Sequence, residues 1–325
     1  MRAATVVAGG GLTVGELPDP TPGPGQLLVR VRACGICGSD LKTAGLLPDG
    51  PVLGHEMAGE VVAAAPDVAA DWPVGSGVVS MPVRGCQSCA DCAADDPARC
   101  STAALLGVGG DAGAFAELVA VSAAESVPWS GTFELGALVE PVAVGLHLAE
   151  AAGLRAGQRV LVVGAGPVGL AVAMWAAHRG AAEVVVSDPS PDRRRDLAHF
   201  GATRAVDPAV DDLGTAYDVV VECVGLPGMV DLAINALRPR GRAVIAGVCM
   251  EADPFWPVVA VTKDVTLAFA SYYTRAEFAE AARVLATGEL DASALVTRTV
   301  SLDELPEAFA RLRTDKDERK VLVLP

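Results

Sequence analysis

The stretch Val160-Leu-Val-Val-Gly-Ala-Gly-Pro-Val-Gly169 decides how the middle of this chain folds. Its first four residues are aliphatic and predict a buried strand, and the GxGxxG spacing that follows is typical of a tight turn that opens a helix. The first glycine allows the turn, the second lets a pyrophosphate approach the backbone, and the third lets the helix pack against the strand. The predicted cofactor-binding residues are Gly164, Gly166, Pro167, Val168 and Gly169.

An acidic residue stands where such a unit selects its cofactor. Asp188 follows the last glycine of the turn by nineteen residues and ends the next apolar run, Val184–Ser187. A carboxylate there can accept hydrogen bonds from the adenosine ribose and repels a 2′-phosphate, so we expect NAD rather than NADP. The nearby Arg193 weakens the expected preference for NAD over NADP. The alternative is a similar domain that binds another nucleotide or none.

The sequence on the two sides of this unit differs in how its apolar runs are spaced. From Arg159 onward, apolar runs alternate with helical stretches, which predicts βαβ units and a parallel sheet. Ser190-Pro-Asp192 resembles the start of one such helix. The first 130 residues instead contain short apolar runs punctuated by Gly and Pro, as strand-rich domains do. The tail predicts two helices and a closing strand, near Arg275–Ala286, Asp303–Arg313 and Lys320–Leu324.

Composition excludes several classes of protein. The 325 residues are 51% apolar and 20% charged, which suits two globular domains rather than a disordered chain. The net charge of −15 argues against nucleic acid and anionic membranes as partners. Val160–Ala177 carries no charge over eighteen residues, but its glycines and proline favour a strand, a turn and a core helix over a membrane span. With no export signal, we expect a cytoplasmic protein that acts on a small molecule.

The most specific metal signal is the series Cys86-x2-Cys89-x2-Cys92-x7-Cys100. Cytosolic thiols stay reduced, so clustered cysteines favour a metal over disulfides. Four thiolates within fifteen residues can surround one tetrahedral ion, and zinc is the metal that such sites prefer. The spacing does not match the common iron–sulfur patterns. A four-cysteine site has no open position, so we predict a structural zinc.

Three separated segments predict a second metal site. They are Cys37-Gly-Ser-Asp40, Gly54-His-Glu56 and Glu140-Pro141. Each segment alone is a weak signal, because a single cysteine or histidine is usually a packing or structural residue. Together they offer sulfur, nitrogen and oxygen ligands, a mixture that leaves a position for substrate on zinc. Asp40 suits a supporting function in which it holds the imidazole of His55.

With these motifs in hand, the chain resembles the zinc-containing medium-chain alcohol and polyol dehydrogenases. The shared motifs occur in the family's order, and they are Cys37–Asp40, Gly54–Glu56, the four cysteines, Leu138–Pro141, the glycine turn, Asp188 and Glu222–Gly225. The resemblance implies an α/β chain with a GroES-like, β-rich catalytic domain over residues 1–145 and 272–325. It places a doubly wound Rossmann domain, which binds NAD, over residues 146–271. Glu140-Pro141 is similar to the sorbitol, threonine and butanediol dehydrogenase branch.

The resemblance also implies functions for single residues. It makes Cys37 and His55 ligands of a catalytic zinc, with Glu56 or Glu140 as the third ligand. Which glutamate takes that place stays open, since one of them can exchange with the other or act through water. Ser39 and Asp40 are the further candidate catalytic residues, and Ser39 begins a proton relay. Two features depart from the family: Lys42 stands where a histidine is frequent, and the segment between the first two ligands is short.

The implied activity is hydride transfer between NAD(H) and a secondary alcohol, a polyol or the corresponding ketone, in a homodimer or homotetramer. One rival is a quinone or enoyl reductase, which needs no catalytic zinc, and the triplet of Cys37, His55 and Glu56 argues against it. A second rival is a retired dehydrogenase that serves as an NAD-binding sensor or structural partner. A third is a biosynthetic ketoreductase on a specialised substrate. The substrate and the physiological direction stay open.

Overall fold

The computed structural model describes residues 1–108, 110–315 and 317–325. The chain divides into two compact units. The first unit consists of Met1–Glu140 with Thr274–Pro325, and the second of Pro141–Tyr273. The sequence placed the two boundaries after residues 145 and 271, which are five and two residues from these positions.

The described residues form strands, α-helices and short 3₁₀ helices. In chain order the strands are β1 (Arg2–Val7), β2 (Gly11–Glu16), β3 (Gln26–Gly35), β4 (Glu56–Ala64), β5 (Gly77–Ser80), β6 (Val83–Arg84), β7 (Ala104–Leu105), β8 (Leu118–Ser122), β9 (Ser126–Pro128), β10 (Arg159–Val163), β11 (Glu183–Ser187), β12 (Arg204–Val206), β13 (Tyr217–Glu222), β14 (Leu237–Ile245), β15 (Thr266–Phe269), β16 (Val296–Ser301) and β17 (Lys320–Leu324). The α-helices are α1 (Gly38–Thr43), α2 (Ala90–Ala93), α3 (Phe133–Gly136), α4 (Val139–Ala152), α5 (Pro167–His178), α6 (Met229–Ala236), α7 (Pro257–Lys263), α8 (Arg275–Thr287) and α9 (Leu305–Thr314). The 3₁₀ helices are Pro97–Arg99, Ala123–Glu125, Leu197–Phe200 and Ser293–Leu295.

The first unit is built on a seven-stranded sheet. Its strand order is β16-β17-β3-β4-β5-β9, and β8 also pairs with β3. In the antiparallel pair β3–β4, Gly35 lies opposite Glu56, and on the other side of β3 it lies opposite Leu322 of β17. The end of β3, the start of β4 and the start of β17 therefore meet at one place in the sheet. Apolar side chains fill the core beneath it, among them Leu27, Val29, Leu53, Phe115 and Phe309.

The second unit confirms the predicted doubly wound α/β fold. Its six parallel strands have the order β12-β11-β10-β13-β14-β15. The chain runs outward from β10 first to one edge and then to the other, so the switch point lies between β10 and β13. Dinucleotides bind across the carboxyl ends of the strands at such a point. Val160–Ala177 is a strand, a turn and a helix, as expected.

Phe133–Ala152 is apolar and long enough to cross a membrane, but 72% of its most apolar window is buried inside the protein, as in a core helix.

The α-helix predicted from Ser190 is wrong. Ser190 does cap Arg193, but turns follow, and Asp196 has φ +51° before the 3₁₀ helix Leu197–Phe200. A left-handed residue cannot continue an α-helix, so the segment stays short.

The glycine turn gives a stability prediction. A Cβ at Gly169 would lie 2.0 Å from the carbonyl oxygen of Gly164, whereas the nearest atom to a Cβ at Gly166 is 3.9 Å away. We expect Gly169→Ala to lower the free energy of unfolding by about 1–3 kcal/mol, since overpacking displaces the helix from the strand. Gly166→Ala should change it by less than about 0.5 kcal/mol. Urea unfolding of both variants tests this, and equal losses would contradict it.

Candidate metal centres and cofactor turn

The four cysteines predicted to bind zinc lie together. The Sγ atoms of Cys86, Cys89, Cys92 and Cys100 are all within 4.8 Å of one another. Tetrahedral zinc, with Zn–S bonds of about 2.3 Å, holds its sulfurs about 3.8 Å apart. The Cys92 N–H donates to the Cys89 sulfur at 3.4 Å. Donor type and spacing both fit a closed zinc site.

The protein alone does not favour four thiolates in this loop. Hydrogen bonds from the hydroxyl and the N–H of Ser88 lower the pKa of Cys86 to about 5. Burial raises the pKa of Cys92 to about 11. At neutral pH some of the four thiols therefore keep their protons until a cation compensates the charge. Metal binding here must release protons, as it does at other thiolate sites.

Hydrogen bonds and an ion pair of Arg275 hold this loop to helix α8. No sequence motif indicated them. Arg275 donates through its side chain to the Cys92 carbonyl at 2.9 Å and to the Glu125 carboxylate at 2.6 Å. Its N–H donates to the Asp95 carbonyl at 3.1 Å. The Glu125 side chain is fully buried, so this ion pair is shielded from water. The loop is thus fixed to the first residue of α8, which stands 183 positions after Cys92.

The second predicted cluster also forms. One ligand atom from each of Cys37, His55 and Glu56 lies within 4.8 Å of the other two. Cys37 follows β3 and precedes α1, while His55 and Glu56 stand at the start of β4. The β3–β4 register, which places Gly35 opposite Glu56, brings the two segments together. This arrangement leaves three different donors around one point.

Asp40 lies behind the cluster and contacts two of its residues. It is fully buried in α1, and its two oxygens bind different partners. One accepts the Cys37 N–H at 2.9 Å, and the other lies 3.1 Å from Nδ1 of His55. Nε2 of the ring then faces Ser39, whose Oγ is 3.4 Å away. Burial alone lowers the pKa of His55, but the charge and hydrogen bond of Asp40, with those of Cys37, raise it well above its usual value.

Lys320 is the site residue that sequence reasoning missed. Its Nζ contacts both oxygens of Glu56, with 2.6 Å to Oε1, and donates to the Ile36 carbonyl at 3.1 Å. Both side chains are 1% exposed. Burial alone lowers the pKa of Lys320, but the negative charges of Glu56, Cys37 and Glu140 raise it. The signal available in the sequence was a lysine heading the apolar strand β17.

Glu140 is placed differently from the other candidate ligands. It is buried in the first turn of α4, yet the three-residue cluster found among the described residues does not include it. Its charge still acts on Lys320. The geometry therefore groups Glu56, rather than Glu140, with Cys37 and His55.

The glycine turn in the second unit fits a dinucleotide. Gly164 has φ +103°, and Gly166 precedes α5, with no atom closer than 3.9 Å to where a Cβ would stand. Asp188 is buried, and its Oδ2 accepts the Ala165 N–H at 2.9 Å. A guanidinium nitrogen of Arg193 lies 3.9 Å from the same oxygen. The carboxylate keeps lone pairs for a ribose hydroxyl, and the N-terminus of α5 suits a pyrophosphate. Pro167 and Val168 form the first turn of that helix.

A closed thiolate cluster, an open mixed cluster and a dinucleotide turn in one chain define a zinc-dependent dehydrogenase of the two-domain type. Residues 23–131 match the family model described as the alcohol dehydrogenase GroES-like domain, and residues 167–287 match the one described as zinc-binding dehydrogenase. The chain belongs to the zinc-binding alcohol dehydrogenase family, which confirms the predicted family and fold.

Relatives match this chain over its whole length. A Mycobacterium tuberculosis protein designated a zinc-binding alcohol dehydrogenase is 34% identical over 98% of this chain and 87% of that protein. The (R,R)-butanediol dehydrogenase of Bacillus subtilis is 31% identical over 97% of this chain and 96% of its own. A Sinorhizobium meliloti structure, assigned as a zinc-binding dehydrogenase and bound to NADP, is 31% identical, with a TM-score of 0.91 and coverage of 100% and 99%.

The Glu56–Lys320 pair gives a stability prediction. Lys320→Met would leave the Glu56 carboxylate buried without its cation, so we expect the free energy of unfolding to fall by about 3 kcal/mol. The double variant Lys320→Met/Glu56→Gln should recover part of the loss, because it removes the uncompensated charge. Urea unfolding of the wild type, both single variants and the double variant gives the coupling energy. A double variant no more stable than Lys320→Met would contradict the assignment.

Proposed function

We propose that this protein oxidises a secondary alcohol or polyol to the ketone with NAD, or catalyses the reverse reduction. In the forward direction the carbinol carbon gives a hydride to NAD⁺ and the hydroxyl gives a proton, which yields the ketone, NADH and H⁺. The cluster of Cys37, His55 and Glu56 carries the proposal, because three mixed donors leave a metal position for substrate. Relatives named as butanediol and scyllo-inosose dehydrogenases support the substrate class.

We assign the catalytic zinc to Cys37, His55 and Glu56, with Glu140 as the glutamate that exchanges or acts through water. Zinc supplies a Lewis acid that lowers the pKa of an alcohol hydroxyl. Asp40 keeps Nδ1 of His55 engaged, so that Nε2 is presented to the cluster. Lys320 holds Glu56 and balances the negative charge of the ligands.

Ser39 is the proposed first member of the proton relay. Its Oγ lies 3.4 Å from Nε2 of His55, and the residue is exposed at the start of α1. It can therefore accept a proton beside the cluster and release it toward water. Lys42, one helical turn further along, is also exposed. It stands where the family often has a histidine, and we give it no function.

We propose NAD as the cofactor, held by Gly164, Gly166, Pro167, Val168, Gly169, Asp188 and Arg193. The Sinorhizobium meliloti relative binds NADP. Here the buried Asp188 carboxylate would repel a 2′-phosphate, and Arg193 is already within 3.9 Å of it. The support for NAD is therefore this carboxylate at the adenosine position.

The direct test is a screen of NAD and NADP reduction across secondary alcohols, vicinal diols, polyols, cyclitols and β-hydroxy amino acids. We expect turnover with NAD on at least one of these classes, and slower turnover with NADP because of Asp188. Absence of turnover with every substrate and both cofactors, in protein that carries two zinc ions per chain, would contradict the proposed function.

Two cysteine variants separate the two zinc sites. Cys37→Ser should retain about one zinc ion per chain, keep its melting temperature within a few degrees and lose more than about 10³-fold in kcat/KM, since catalytic zinc provides several kcal/mol. Cys92→Ser should also lose one zinc ion, but with a clear fall in melting temperature, because a structural zinc stabilises the fold. Cys249→Ser, in the second unit, is the control and should keep both ions. Full turnover of Cys37→Ser would refute the catalytic assignment.

We further propose that the protein is a cytoplasmic homodimer. The outer strand β15 leaves one edge of the second sheet open, and α7 beside it contributes no buried residue. Trp256, Val261 and Phe269 are each more than 70% exposed there. An apolar surface around a bare strand edge is self-complementary about a two-fold axis, because two copies of β15 can pair antiparallel and continue the sheet.

Sedimentation of matched variants tests the dimer. Val261→Asp should shift the enzyme toward monomer, since two buried carboxylates would face each other across the axis. Val74→Asp is the control, because Val74 is 73% exposed on the first unit, close to the 76% of Val261. A wild type of monomer mass, or a dimer unaffected by Val261→Asp, would contradict this interface.

A further inference from the structure

A buried carboxylate at the end of β13 has no function in the chemistry proposed above. Glu222 is 1% exposed, and its Oε1 accepts the backbone N–H groups of Val224 at 2.5 Å and Gly225 at 2.9 Å. Its Oε2 is also buried, and in the described part of the chain it has no hydrogen-bond partner. An unsatisfied buried carboxylate oxygen costs free energy, so its retention points to a function.

The strand order places Glu222 on a particular half of the cofactor site. In a doubly wound sheet each half binds one nucleotide, and the two meet at the switch point. Asp188 follows β11, so the half formed by β10, β11 and β12 takes the adenosine. The half formed by β13, β14 and β15 is left for the nicotinamide nucleotide. Glu222 ends β13 directly opposite Val163, the last residue of β10.

The loops around Glu222 are packed too closely for side chains. A Cβ added to Gly247, after β14, would lie 2.1 Å from the nitrogen of Gly225 and 2.5 Å from Oε2 of Glu222. A Cβ on Gly164, in the cofactor turn, would lie 3.0 Å from Val224. The carboxylate therefore holds the turn at 223–225 against both the cofactor turn and the loop after β14. Its charge is fixed in position and shielded from water.

We propose that Glu222 is a positioning residue for the nicotinamide half and that its buried charge favours the oxidised cofactor. Oε1 fixes the turn at 223–225 through Val224 and Gly225, while the carboxylate as a whole supplies a constant negative charge. The nicotinamide ring of NAD⁺ carries a positive charge and that of NADH is neutral. A buried charge is weakly screened, so it stabilises the cationic form selectively. This inference depends on the proposed NAD-linked function.

Glu222→Gln is the decisive variant, because glutamine keeps an acceptor for the two N–H groups and removes the charge. With the zinc-loaded enzyme, we expect the Kd for NAD⁺ to rise about tenfold, the size expected for one nearby charge in a protein interior. The Kd for NADH should change by less than about twofold. Fluorescence or calorimetric titration gives both constants, and the reduction potential of the bound couple should move in favour of NADH. Equal changes in both constants, or none, would overturn the proposal.

Two further variants, together with the wild type, separate the possible outcomes. Asp218→Asn removes a carboxylate at the opposite end of β13, where it accepts the Arg159 N–H at 2.8 Å, and it should leave the ratio of the two constants unchanged. Glu222→Ala removes charge and acceptor together and should weaken both cofactor forms. If that variant does not fold, Glu222→Gln still decides the charge effect. A wild type that binds neither NAD⁺ nor NADH would refute the proposed function as well, whereas a normal wild type with an unchanged ratio in Glu222→Gln would refute only this inference.

Discussion

The buried ion pair between Glu56 and Lys320 joins residues 264 positions apart, and the candidate site depends on it. It forms because β17 and β4 flank β3, so that the start of each outer strand meets the end of the central one. A carboxylate buried there without a cation would be strongly destabilising. The lysine lets an acidic side chain stand beside Cys37 and His55, with Asp40 behind them, without the charge of a metal. The sheet register therefore also sets the charge balance, because it brings Lys320 to Glu56.

The two cysteine-containing sites differ in how the chain brings their side chains together. The four cysteines all come from one short segment, so the geometry of this loop is set locally. Arg275 then fixes the loop through its hydrogen bond to the Cys92 carbonyl. The mixed cluster takes its ligands from two segments joined by the sheet, and its donors differ in charge and size. A closed shell of like donors stabilises a fold, whereas an open shell of unlike donors leaves a reactive position. On the proposed assignment, one chain uses zinc for two purposes.

Features with local causes could be predicted from the sequence. The glycine turn, the four-cysteine spacing, the strand–helix alternation and the closing strand β17 each depend on residues close together in the chain, and the family resemblance supplied Cys37, His55 and Glu56. Lys320 and Arg275 could not be predicted, since each acts on residues far away in the chain through a register that composition does not encode. The helix expected after Ser190 failed because the left-handed Asp196 overrode a good capping signal. Only the strand register shows that Glu56, rather than Glu140, lies with Cys37 and His55.

The discontinuity of the first unit has a consequence for biosynthesis. The ribosome releases the chain from its N-terminus, so β3 and β4 emerge long before β17, and the whole second unit is made in between. During that interval the end of β3, at Cys34 and Gly35, lacks the strand that later pairs with it. Glu56 then has no lysine, and its carboxylate must stay hydrated or meet another cation. Strand β17 therefore completes both the sheet and the charge balance of the site, and a nascent chain has neither until that strand has been made.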